Sequence, residues 1–156
     1  MKALHFCALC LAFPLAGARG QTDRVGSFDR QSIVIAFYRS PVWAATVRRQ
    51  IAARDSAKRA GDTTRVRELE AWGAGHQELA HQQLLGAAPL TNILDALRPA
   101  LDSVARMSNL RRVGEAPVTD PQVTVVDVTP QLLDWLKADA KTREIIAQMP
   151  PRGRRP

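Results

Sequence analysis

The sequence predicts an α+β protein, mostly helical, in which a long antiparallel helical hairpin projects from a small β-sheet and helix body. Three observations carry this. Helix-start and helix-stop residues punctuate the stretch from Ser40 to Gly86; apolar residues recur at spacings of three and four on both sides of Gly61; and β-branched, strand-like runs stand before and after that stretch.

Residues 1–20 read as a signal peptide rather than as part of the fold. Lys2 gives a positive start, and Leu4 to Leu15 (LHFCALCLAFPL) is an apolar run of 12 residues, short of the ~20 that a bilayer-spanning helix needs. Small residues offer cleavage after Ala18 or after Gly20, and cleavage after Gly20 would start the mature chain at Gln21. Cys10 follows Leu9 and stands too early for a lipoprotein signal. Cleavage would also remove Cys7 and Cys10, the two cysteines, which excludes disulfides and thiol chemistry from the exported body. The expected location is therefore the periplasm or another exported compartment. Residues 21–149 are the length of a single domain, and the tail at 150–156, PPRGRRP, reads as disordered and basic.

Each element follows from its punctuation. Arg24 to Phe28 reads as a short strand. SIVIAFY is ambiguous: its β-branched residues favour a strand, while Asp29 offers a cap for a short helix burying Ile33, Val34 and Phe37. Ser40-Pro41 starts a helix with a hydroxyl cap and a proline at its first position, and Ala44, Val47 and Ile51 give it a narrow apolar seam. Gly61 closes that helix, and Asp62 or Thr63 caps the next, which runs to about Leu85 with Leu69, Trp72, His76, Leu79 and Gln83 in one stripe. Gly73, Gly75 and Gly86 weaken it, by roughly 1 kcal/mol each where interior. After the break at Ala87 to Pro89, Ile93, Leu94, Leu97, Leu101 and Val104 form an amphipathic helix, capped by Thr91 and kinked or split by Pro99. Leu110 to Val113 and Val123 to Val128 are expected as strands. Thr129-Pro130 then caps a helix offering Leu132, Leu133, Trp135 and Leu136 to the body, and a last weak helix spans Ala140 to Gln148.

Charge is distributed unevenly. Between Arg39 and Arg67 eight basic residues face only Asp55 and Asp62. The candidate binding residues are Arg48, Arg49, Arg54, Lys58, Arg59 and Arg65, as contacts for an unfolded client, an acidic lipid or an acidic polymer; a solvated helix surface is the alternative. Nucleic acid is not expected, since no basic motif is interleaved with aromatic residues. No metal or cofactor is expected either. His76 and His81, with Glu78 between them, are five apart and point about 140° away from each other on a helix, unlike the one-faced HExxH pair. The serines lack a GxSxG context, no glycine loop cradles phosphate, and Glu68 and Glu70 do not converge, so no enzyme template fits.

The order of elements, with RVGSFDRQSIVIAFYRS at the start, the long helical stretch, and ILDALRPALDSVARMSN followed by VTVVDVTPQLLDWLK near the end, resembles the Skp/OmpH family of periplasmic chaperones for outer-membrane proteins. The family's order selects helix for SIVIAFY. The resemblance implies a non-catalytic holdase for unfolded outer-membrane or envelope proteins, a short-armed member whose arm spans about residues 41–85, and a homotrimer joined through the small sheet. An envelope adaptor or scaffold that binds one folded partner is the alternative.

Overall fold

The computed structural model describes residues 23–149. The signal peptide expected at 1–20, with Cys7 and Cys10, and the basic tail at 150–156 lie outside the described residues. The chain is α+β and mostly helical. Its elements in order are β1 (Arg24–Phe28), α1 (Arg30–Arg39), α2 (Pro41–Arg59), α3 (Thr63–Leu85), α4 (Thr91–Met107), β2 (Arg112–Glu115), β3 (Thr124–Asp127), α5 (Thr129–Trp135) and α6 (Ala140–Gln148).

The sheet is parallel, in the order β2-β1-β3, with Val25 opposite Arg112 on one side and Val125 on the other. Both outer strands are four residues long, and among the described residues each leaves one edge unpaired. Phe28, on β1, joins a core built from Ile33 and Phe37 of α1, Ile93 and Leu97 of α4, and Leu132 and Leu136 of α5. Gly26 sits where that core comes closest to the strand: a Cβ there would lie 2.9 Å from Leu110 Cδ1 and Val113 Cγ2.

SIVIAFY is helical. Asp29 caps it, its carboxylate accepting from Ser32 N at 2.7 Å, and the helix buries Ile33, Val34 and Phe37. Ser40 then serves two helices at once, its hydroxyl donating to Phe37 O and accepting from Trp43 N. Asp62 caps α3 by accepting from Arg65 N at 2.9 Å. Four helix ends close with left-handed residues, Gly61, Gly86, Asn109 and Lys137. At Asn109 the next amide, Leu110 N, returns to Ala105 O at 2.8 Å, and at Lys137 the Ala138 amide returns to Leu133 O at 3.0 Å, the six-to-one bond of a Schellman end.

Five expectations need correction. Leu110 is committed to closing α4, so the strand expected at Leu110 to Val113 starts two residues later, at Arg112. Thr91 and Thr129 are first helical residues, not caps; Leu90 and Val128 precede them and give no side-chain cap. Instead, Thr129 Oγ1 accepts the Asp29 amide at 3.0 Å and ties α5 to the start of α1. Pro99 does not split α4: it lies on the exposed side of a helix that runs unbroken from Thr91 to Met107. Trp135 is exposed, because Leu132, Leu133 and Leu136 already define the buried arc of the short α5. On α2, Ala44 and Val47 of the expected seam are half-buried but Ile51 is 45% exposed, and a line of half-buried or buried residues runs through Trp43, Val47, Gln50, Arg54 and Ala57.

Candidate functional site

Ala60 to Asp62 join α2 to α3, and the two helices meet side by side. Trp43 stacks on Trp72 at 5.8 Å between ring centres and lies 5.3 Å from His76; Lys58 Nζ reaches Glu70 Oε1 at 3.6 Å. The line on α2 is spaced 4-3-4-3, and the stripe on α3 (Leu69, Trp72, His76, Leu79, Gln83) is spaced 3-4-3-4, the repeat by which paired helices keep one face toward each other.

The aromatic residues form a ladder. Tyr38 stands edge-on to Trp43 at 5.1 Å, Trp43 stacks on Trp72, and the His76 ring lies 4.2 Å from Trp72. His76 Nδ1 donates to Trp72 O at 2.8 Å, the acceptor being a carbonyl, which leaves Nε2 as the other ring position. His81 is exposed. Each tryptophan-ring contact contributes about 0.5–1.5 kcal/mol beyond the area it buries.

The six basic candidates do not converge on one point. Arg48, Arg49 and Arg59 are exposed on α2 without an acidic partner among the described residues, and Arg49 donates only to Thr46 Oγ1, at 3.1 Å. Arg54 pairs with Asp55 at 3.0 Å, Lys58 with Glu70 at 3.6 Å, and Arg65, on α3, with Glu68 at 2.8 Å. At 100° per residue Arg48 and Arg59 share one side of α2, Arg49 lies about a quarter turn away, and Arg54 and Lys58 turn toward α3. Such surface pairs contribute at most about 1 kcal/mol each. Their consequence is electrostatic: α2 holds five cations against the single carboxylate of Asp55.

Beside the seam runs a groove that sequence reasoning missed. Two depressions of about 380 and 370 Å³ share Val47, Trp72, Gly73 and Gln77 and merge along the helical pair. One reaches Tyr38 and Ala80, the other Ile51, Arg54 and Glu70. A Cβ placed on Gly73 would meet no atom within 4 Å, so the missing side chain leaves the groove open. A larger depression of about 540 Å³ lies between α4 and β2, but most of its charged rim is already engaged, as Arg98 with Asp95, Arg111 with Asp23 and Glu115 with Arg30. In the α2–α3 groove the Gln50 and Gln77 side-chain amides bond no other described residue, while Arg54 is paired with Asp55 and Glu70 with Lys58; the unpartnered Arg48 lies just outside the lining. The signal for it was present in the sequence as the regular spacing of Trp43, Val47, Gln50 and Arg54, obscured because half of those residues are polar.

Among the described residues no group of three or more His, Cys, Asp or Glu is placed to hold a metal ion, and no helix is long and apolar enough to cross a membrane. No protein-family model, curated protein or solved structure matches this chain.

Proposed function

We propose that α2 and α3 form an antiparallel hairpin arm projecting from the α/β body, and that the protein is an exported, Skp/OmpH-like holdase that grips unfolded envelope proteins with that arm and catalyses nothing. The observation that carries this reading is the meeting of two properties on α2: five cations spread around it against one carboxylate, and an open, largely apolar groove running along its side. An unfolded chain exposes apolar side chains and carboxylates together, so it gains on both counts, and the long-range part of the attraction speeds capture. In the same reading residues 1–20 direct export, and three copies join through the open edges of β2 and β3, which a single chain leaves unpaired.

The test replaces Arg48, Arg49, Lys58 and Arg59 with Gln. All four are exposed, so the fold survives. The variant should bind an unfolded outer-membrane protein about tenfold or more weakly at low ionic strength, a gap that narrows at high salt, and should suppress aggregation less well. Binding unchanged at low salt removes the electrostatic part of the proposal. Saturable binding to one folded envelope component, with no effect on the aggregation of unrelated unfolded proteins, is the outcome an adaptor gives.

A further inference from the structure

We infer that the groove beside the α2–α3 seam is a docking site for a short extended peptide segment that carries an aromatic side chain next to a carboxylate; this rests on the holdase reading and specifies what the arm grips. Three features select that ligand. The strip of Val47, Ile51 and the Trp72 ring is apolar and includes Ile51 at 45% exposure, which gains by being covered. Gln50 and Gln77 hold side-chain amides without a partner among the described residues, each able to donate to and accept from a peptide backbone, which an acyl chain would leave unpaired. Arg48 lies just outside the lining, three residues before Ile51 on the same helix, and has no acidic partner among the described residues, while the lining's own Arg54 and Glu70 are each already paired; the free charge beside the groove is therefore positive and complements a carboxylate at the rim.

Dimensions agree with a segment rather than a folded surface. From Leu69 to Ala80 the groove follows eleven helical steps, about 16 Å, which is the reach of about five extended residues. Each of the two depressions has a volume in the range of small-ligand pockets. The open space above Gly73 leaves room for a ring beside Trp72, which lines the same groove.

Two glycines of α3 provide the test. Gly73 lines both depressions and Gly75 lines neither, and an added Cβ meets nothing within 4 Å at either. Gly73→Leu and Gly75→Leu therefore raise helix propensity equally, and only the first fills the groove. The probe is a seven-residue capped peptide with a central Phe flanked by two Glu, followed by anisotropy of a label on the peptide and by the tryptophan emission of the full chain. The wild type and Gly75→Leu should bind alike, and Gly73→Leu about tenfold or more weakly. Ile51→Glu, at the exposed rim, should weaken binding similarly by placing a carboxylate against the incoming one, and replacing the peptide's Phe with Ala should abolish saturation. Equal affinities for the two glycine variants overturn the inference, as does a wild-type chain that suppresses aggregation without binding the peptide, which leaves the holdase reading standing. A chain that binds the peptide with this pattern but does not suppress aggregation supports the groove and removes the holdase reading.

Discussion

Gln83 is fully buried, and its side chain is the junction on which α1, α3 and α4 meet. Its Oε1 accepts from the Tyr38 hydroxyl at 2.9 Å, while Nε2 donates to Pro89 O at 2.7 Å and to Asn92 Oδ1 at 2.6 Å. The amide can point only one way, because the Pro89 carbonyl can only accept. Asn92 Nδ2 closes the ring by donating to Tyr38 OH at 3.3 Å, and Arg30 Nη1 holds the Gln83 and Ala88 carbonyls at 3.2 and 2.9 Å. Gln83→Ala strips partners from three polar groups at about 1 kcal/mol each and leaves a small cavity, for a loss of about 3–4 kcal/mol. For a domain of this size that is a fall in Tm of roughly 10–15 °C. Gln83→Glu is the sharper perturbation: size and the Tyr38 bond are kept, but two donors become an acceptor facing Pro89 O and Asn92 Oδ1, and about 2–3 kcal/mol is lost at neutral pH. Urea unfolding of both variants, read as midpoint and slope, measures these losses. If Gln83→Glu falls within about 0.5 kcal/mol of wild type, Nε2 does not make the two short bonds and the junction does not root α3.

Two further outcomes follow from local geometry. Gly26→Ala should cost about 1–3 kcal/mol, since its Cβ would press on Leu110, Val113 and Val128 at 2.9–3.2 Å in a filled core; a thermal midpoint equal to wild type would show that Leu110 and Val113 repack freely. Asp139 caps α6, and hydrogen bonds from the Thr142 side chain and backbone N–H, helped by Arg39 and Lys141, hold its carboxyl below the ordinary value of 3.8. A depressed folded value means its contribution is present at and above that ordinary value and is lost as pH falls through the depressed one. The Tm gap between wild type and Asp139→Ala should thus be constant from neutral pH down to about 4 and close below it; a gap that widens on acidification contradicts the cap.

Punctuation was the legible part of this sequence. Ser40-Pro41, Gly61, Asp62 and Asp29 act through their own backbone and the next three residues, so their roles can be read without knowing what packs where. Thr91 and Thr129 carry the right hydroxyl but are first helical residues, and Thr129 uses its own on the Asp29 amide, a partner a hundred residues away. Asn109 tolerates the left-handed conformation that closes α4, and this local choice, not β-propensity, moved the strand start from Leu110 to Arg112. The site was less legible than the fold. Scoring α2 by apolarity picks Ala44, Val47 and Ile51, whose centre lies about 70° around the helix from that of the line Trp43, Val47, Gln50, Arg54 and Ala57, with only Val47 in common. The basic residues were visible one by one, and two of their ion pairs, Arg54 with Asp55 and Arg65 with Glu68, are local to one helix; only the Lys58–Glu70 pair depends on how α2 meets α3.

That rotated seam explains how an apolar groove can stay open in water. Two helices that meet through large apolar residues along their whole length close over any gap between them, because burial drives them together. Here the buried contacts sit apart: the Trp43, Trp72 and His76 rings and the Gln83 junction toward one end, the buried Ala57 and Leu69 near the Gly61 turn toward the other. Between them Gln50 and Arg54 occupy seam positions and Gly73 lacks a side chain, so little is gained by closing the gap. Filling that middle, as Gly73→Leu does, should strengthen the pair and end its capacity to bind, which places stability and binding in opposition at a single residue.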